Sequence, residues 1–230
     1  MIGRKPSRRS LIFGAGVLGG AVSWVAATIG ADAAHAAARN RGAEQFVERS
    51  ATEALATLGD RNLDEAHVRQ AFGNLMLELA DTPRISTFVL GVYAARVRQD
   101  PRLARDWSDA FRAFTVANYA DRLRSYAGRA VRATGSVERI PDQDVVVRTE
   151  IAGEPGQPAR VVQWRMLRNG DRWKVADVAV VLDGNEVWLA QQQRSQFTSI
   201  LGRNNGDVRA LIANLRQTTA SLEAHGARAP

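Results

Sequence analysis

The hydrophobic period changes once along this chain, and that change limits the folds open to it. From Ala43 to about Gly128 apolar residues recur every three to four positions, whereas from Arg129 to about Leu182 they alternate every two. A period near 3.6 belongs to helices with one buried stripe, and a period of two belongs to strands with one buried face. Helices gathered in one half and strands in the other argue an α+β fold, with helices stacked on one face of an antiparallel sheet.

The helical half reads in four pieces. Ala43 to Leu58 puts Phe46, Val47, Ala51, Ala54, Leu55 and Leu58 on one face and stops at Gly59-Asp60. Asn62 is the expected N-cap of a second helix, about Leu63 to Leu79, with Glu65 at its third position as in a capping box. The segment "RISTFVLGVYAARV" after Pro83 is apolar on most sides and predicts a buried helix. Asp100-Pro101 opens the longest pattern, in which Leu103, Trp107, Phe111, Phe114, Leu123 and Tyr126 recur as core positions until Gly128.

The strand half offers "RAVRATGSV", "DVVVRTEI", "RVVQWRML" and "RWKVADVAVVL", joined by short turns such as Asn169-Gly170-Asp171. Val145, Val147 and Ile151 share one face, as do Val162, Trp164 and Met166. Helices at about Asn185 to Leu201 and Asp207 to Leu222 complete the pattern. The expected product is a single domain over residues 37–225, followed by a disordered tail at 226–230. Its sheet is a curved antiparallel one of about four strands, nuclear-transport-factor-like or cystatin-like. A helical layer from the N-terminal half, with the C-terminal helices, packs against it.

Residues 1–36 read as an export signal. Arg4, Lys5, Arg8 and Arg9 precede an uncharged span from Leu11 to Ala31, and small-residue sites follow at Ala31-Asp32-Ala33 and Ala34-His35-Ala36. Ser7-Arg8-Arg9 before Ser10-Leu11-Ile12 looks like a twin-arginine signal, which implies periplasmic delivery of a folded protein, with cleavage near Ala36. An uncleaved anchor is the alternative, because the span is long enough to cross a bilayer. The Gly14-Ala15-Gly16-Val17-Leu18-Gly19 run fits a dinucleotide fingerprint, yet it lies inside the signal's apolar core and follows no strand.

Composition removes several chemistries. There is no cysteine, so thiol chemistry and Cys-based metal sites are excluded. Beyond the leader only His67 and His225 remain, the latter near the expected tail, and neither has a second histidine at helical spacing. A Ser-His-Asp triad and a P-loop are equally unsupported, and no cofactor is expected. The formal charge is +7, part of it in the leader, and Lys174 is the only lysine after the leader. A mild arginine excess suits anionic lipid headgroups or an acidic protein patch, while no basic run with interleaved aromatics points to nucleic acid.

The stretch "GDRWKVADVAVVLDGNEVWLAQQQRSQF", Gly170 to Phe197, holds two carboxylates around an apolar run. Asp183-Gly184 ends a strand before a helix, so turn formation or capping explains it. Asp177 is ambiguous, as a structural acid satisfied by backbone N–H groups or arginine, or as a catalytic one.

Five segments together resemble the MlaC/toluene-tolerance family. They are "AFRAFTVANYADRLRSYAG", "DVVVRTEI", "QWRMLRNGDRWKVADV", "RSQFTSIL" and "LIANL", and the likeness runs from about Phe88 to Leu215. The extra residues through "VLDGNEVWLAQQQRSQF", with a Leu-Asp-Gly turn leading into a helix, look more like the hopanoid-biosynthesis-associated branch. The resemblance implies a monomeric soluble carrier and not an enzyme. Its lipid, a phospholipid or a hopanoid, would sit between sheet and helices. Its partners would be an inner-membrane ABC-transporter/MCE complex, an outer-membrane lipoprotein complex and, transiently, the membrane surface.

Enclosing a lipid needs apolar walls. The expected lining is Val147, Val162, Trp164, Val178 and Val180 on the sheet, opposite Phe88, Leu90, Tyr93, Phe111 and Phe114, with Trp188 beyond the last strand. The same residues equally suit a solid core. The enzyme alternative is an acid/base catalyst of nuclear-transport-factor-like fold, using Asp177 on an apolar substrate with Tyr93, Tyr119 or Tyr126 as hydrogen-bond donor.

Overall fold

The computed structural model describes residues 39–182 and 184–226. The expected leader, with its glycine motif and cleavage sites, and Asp183 lie outside the described residues, as does all of the expected tail except Gly226.

Among the described residues, seven α-helices and five strands follow in chain order: α1 Arg41–Leu58, α2 Glu65–Leu79, α3 Thr82–Leu90, α4 Ala94–Gln99, α5 Pro101–Leu123, β1 Val131–Ile140, β2 Asp144–Ile151, β3 Arg160–Asn169, β4 Arg172–Leu182, β5 Asn185–Trp188, α6 Leu189–Arg203 and α7 Val208–Gly226. Short 3-10 turns cover Gly91–Tyr93 and Arg124–Tyr126. The strands form one antiparallel sheet in the order β1-β2-β3-β4-β5. Local chain reversal suffices for that order, which is why each strand pairs with its sequence neighbour.

The α+β architecture is as the period change predicts, but the sheet has five strands and not four. Asn185–Trp188, expected to begin a helix, pairs instead with β4, Leu182 facing Asn185 and Val180 facing Val187. Two residues separate Leu182 from Asn185, and Gly184 has φ 79°. Asp-Gly between two apolar runs is a strong hairpin signal, because both positions tolerate the positive φ that a tight turn needs. Four residues of alternation are too few to declare themselves as a strand without that cue.

Helix starts also shift for local reasons. The Asn62 N–H bonds to Asp60 Oδ1 at 2.9 Å, and Asp64 becomes the cap of α2, accepting from the His67 N–H at 2.9 Å. Glu65 is thus the first helical residue, free to reach Arg124, with contacts of 2.5 and 3.0 Å. The segment expected as one buried helix breaks at Gly91, φ 56° and ψ −128°, and Val92 beyond the break is 79% exposed. At the other end α7 runs on through His225 to a buried Gly226, past the expected stop at Leu222.

Among the described residues, most of the buried apolar side chains gather in three clusters. Val89, Leu90, Val97, Leu103, Trp107, Phe111, Phe197, Leu201, Leu211 and Leu215 build a helical one from α3 to α7. Ala43 and Val47 of α1 meet Val145, Val147, Met166 and Trp173, and one turn onward Ala51 and Leu55 meet Val131, Ile151 and Val162. α5 serves two of these, with Trp107 and Phe111 in the helical cluster and Leu123 against the sheet. Each fully buried large side chain contributes roughly 1.5–3 kcal/mol.

Polar ties set α1 on the edge strand. Asn40 Oδ1 caps α1 through the Ala43 N–H at 2.9 Å, Ser136 Oγ donates to Glu44 at 2.7 Å, and the Ala133 N–H donates to Glu48 at 2.7 Å. The last bond occupies an edge-strand donor at the irregular step between Ala133 and Gly135.

Candidate functional site

The register of β2 to β5 decides which side chains share a surface. Val147 faces Trp164, and Trp164 faces Val178; Val162 faces Val180, and Val180 faces Val187. These positions therefore form one continuous apolar face. Thr149 opposes Val162 within it and is fully buried. Its hydroxyl accepts from Trp164 Nε1 at 2.8 Å and donates to the Val162 carbonyl at 3.3 Å, so a polar group inside an apolar face fixes the indole.

Burial varies across that face. Val145 and Val147 are completely buried beneath α1, whereas Trp164, Val175, Val178 and Val180 are only half-buried. Trp164 borders both sheet clusters, and Val178 borders the second together with Leu123 and Tyr126. The incompletely covered strip thus runs along β3 and β4, flanked by the C-terminal end of α5.

The expected lining residues do not all meet there. Val147, Val162, Trp164, Val178 and Val180 are brought together as expected. Leu90, Tyr93, Phe111 and Phe114 belong to the helical cluster, where Phe111 stacks on Trp107 at 5.3 Å and Phe114 meets Phe197 at 6.2 Å. Phe88 is 38% exposed, with the Arg194 guanidinium over its ring at 4.9 Å, so it is a surface residue. Trp188 pairs with Ala179, which places it on the opposite sheet face from Val178 and Val180. Helical spacing told which of these side chains are apolar, but not which neighbour each turn of helix would meet.

Asp177 sits at a register shift in β4, opposite Arg165. Its Oδ1 accepts the Val178 N–H at 2.8 Å and the Ala190 N–H at 2.9 Å. Burial pushes the carboxyl above the ordinary value of 3.8, opposed by those two N–H groups and by the Arg165 charge. Trp188, the N-cap residue of α6, offers no side-chain acceptor, so Asp177 supplies one from the sheet. Of the three tyrosines, Tyr119 feels the Asp177 charge. Burial first, and that charge second, push its hydroxyl up to about 12. Tyr93 lies against Gly206, and Tyr126 carries Arg129 over its ring at 5.6 Å.

Arg165 is shared. It donates to Asp144 at 2.8 and 3.2 Å, and Asp144 is 5% exposed. The pair bridges β2 and β3 on the sheet face away from Trp164.

The family model of the MlaC protein matches residues 48–217. The chain belongs to the MlaC family. For an MlaC-family chain, the matched span contains all five strands and the incompletely covered strip. A solved structure of a phospholipid-binding protein from Ralstonia solanacearum, in complex with a phospholipid, superposes with a TM-score of 0.66. The superposition covers 78% of this chain and 98% of that one, at 22% identity, and shows a shared fold. No curated protein matches the sequence. Family membership points to binding or transport and not to catalysis, in keeping with an Asp177 engaged by the backbone.

Two features of this MlaC-family site escaped the sequence reading. Thr149 was passed over between Val147 and Ile151, although its place on the same alternating face was readable. The capping of α6 by Asp177 joins residues 13 apart across the β4–β5 hairpin, and no local spacing announces it.

Proposed function

We propose that this protein is a periplasmic lipid carrier that shelters acyl chains between the sheet and the helical layer. The observation that carries the reading is the half-buried apolar strip of Trp164, Val175, Val178 and Val180, in a chain of the MlaC family. An ordinary core closes over such a strip, as α1 does over Val145 and Val147. Shelter has to be extensive. Two chains with about thirty methylenes, at roughly 0.8 kcal/mol each, demand roughly 20 kcal/mol or more, and an exposed patch supplies too little.

Loading in this reading parts β4 from the C-terminal end of α5, and the strip then receives the chains. The Ralstonia solanacearum relative, which holds a phospholipid on the same fold, supports a phospholipid as cargo. Export by the arginine-pair leader, and exchange with ABC-transporter/MCE and outer-membrane complexes, complete the proposal. Bilayer and cavity are of similar polarity, so the free energy of transfer between them is close to zero and direction has to come from those partners.

The test is lipid extraction and native mass spectrometry of protein exported by a bacterial host and purified without harsh detergent. One bound lipid per chain is expected, and its identity separates phospholipid from hopanoid. A protein that carries no lipid and takes none from vesicles overturns the reading.

A further inference from the structure

Two neighbouring segments are basic without exception. The residues from Thr82 to Gln99 and those from Leu189 to Gly206 contain no Asp or Glu, and they carry Arg84, Arg96, Arg98, Arg194 and Arg203. All five arginines are exposed. α3 and α6 pack against each other, and Arg194 of α6 lies across Phe88 of α3 at 4.9 Å, beside Gly91 at the break. The acids at the ends of the first segment are each taken up by a helix cap and one arginine. Asp81 caps α3 and pairs with Arg84, and Asp100 caps α5 and takes Arg209.

Apolar side chains are exposed on the first of these segments. The positive φ at Gly91 turns the chain so that Val92 stands 79% exposed, next to the 38% exposed Phe88. Exposed apolar groups, with Arg194 over one of them, in segments whose charged residues are all arginine match the chemistry of a bilayer interface. Valine and phenylalanine enter the headgroup boundary, while guanidinium groups meet lipid phosphates. An arginine stacked on an aromatic ring is already held flat at that boundary.

We propose that the surface made by α3, the Gly91–Tyr93 turn, α4 and the Arg194 side of α6 docks on an anionic lipid bilayer, with Phe88 and Val92 inserted and Arg98 and Arg194 on the phosphates. The proposal rests on the lipid-carrier reading and adds to it the surface by which the carrier meets a membrane. Its residues are not those of the apolar strip of β3 and β4, so substitutions can separate docking from cargo binding.

The experiment uses exported protein carrying Val92→Cys, the natural chain having no cysteine, labelled with a polarity-sensitive fluorophore. Equimolar phosphatidylglycerol and phosphatidylcholine vesicles should shift the emission to the blue, phosphatidylcholine alone should not, and added salt should reverse the shift. Arg98→Glu with Arg194→Glu should weaken vesicle binding at least about tenfold, since each basic residue near an anionic surface contributes on the order of fivefold. Unchanged circular dichroism and unchanged bound lipid would show that the variant is folded. No shift with anionic vesicles, equal binding to zwitterionic ones, or a shift produced by an acidic protein in their place overturns docking. Docking by a protein that carries no lipid and takes none up from vesicles overturns the carrier reading alone.

Discussion

Asp177 Oδ1 lies 2.9 Å from the Ala190 backbone nitrogen, so a side chain of β4 caps α6. The same oxygen takes the Val178 N–H, and burial raises the carboxyl's affinity for its proton. Asparagine keeps an acceptor and drops the charge, while alanine strands two donors. Asp177→Ala is expected to cost about 1–3 kcal/mol in denaturant unfolding, and Asp177→Asn little at neutral pH. Because the folded pKa is raised, the folded state binds protons more tightly. Asp177 therefore costs stability as pH rises from about its ordinary 3.8 through the folded value, and the asparagine variant should lack that loss. Equal losses for both substitutions would refute the capping role.

Thr149 holds the Trp164 indole on the apolar face. Thr149→Val keeps the shape and removes the acceptor, leaving Nε1–H without this partner. A loss of about 1–2 kcal/mol is expected, together with a changed near-ultraviolet tryptophan signal. A neutral substitution with an unaltered spectrum would show that the bond does not position the ring.

Gly91 adopts φ 56° and ψ −128°, a region that side chains avoid. An added Cβ would also stand 3.3 Å from Arg194 Nε. Gly91→Ala should cost about 1–3 kcal/mol by thermal unfolding, and a stability equal to the parent's would show that this break is unstrained.

Glu65 and Arg124 join α2 to the end of α5. The hydrogen bonds from Arg124 hold the Glu65 carboxyl below its ordinary 4.5. A depressed folded pKa stabilises fully above the unfolded value and is lost as pH falls from about 4.5 through the folded one. Both groups are about a third exposed, so Glu65→Gln should cost only about 0.5–1 kcal/mol near neutrality. The difference between parent and variant should shrink below that pH, and one that stays constant would assign it to packing.

Val178→Trp fills the half-buried strip between Trp164 and Leu123. Lipid recovered with the exported protein should fall severalfold while the far-ultraviolet spectrum is retained. Undiminished cargo would place the acyl chains elsewhere.

Much of the fold was legible in the sequence, because period and turn chemistry are local. β2 coincides with "DVVVRTEI", and β3 and β4 follow the alternating runs closely. β5 was missed because four residues show too little period, although Asp183-Gly184 carried the hairpin signal. The helix break at Gly91 was missed because "TFVLGVYAARV" stays apolar across it.

For the site, alternation grouped Val147, Val162, Trp164, Val178 and Val180, and register confirms them as neighbours. Phe88, Leu90, Tyr93, Phe111, Phe114 and Trp188 were attached to that face by hydrophobicity, which has no direction. By itself the sequence determined the α+β class, the strand faces and the family resemblance, all of which depend on residues close in the chain. Only the tertiary structure decided that α1 seals Val147 while Val178 stays half-covered, that Asp177 caps a helix, and that Arg194 lies on Phe88. Those relations depend on which surfaces pack together, and packing is settled by shape and burial between segments far apart in sequence.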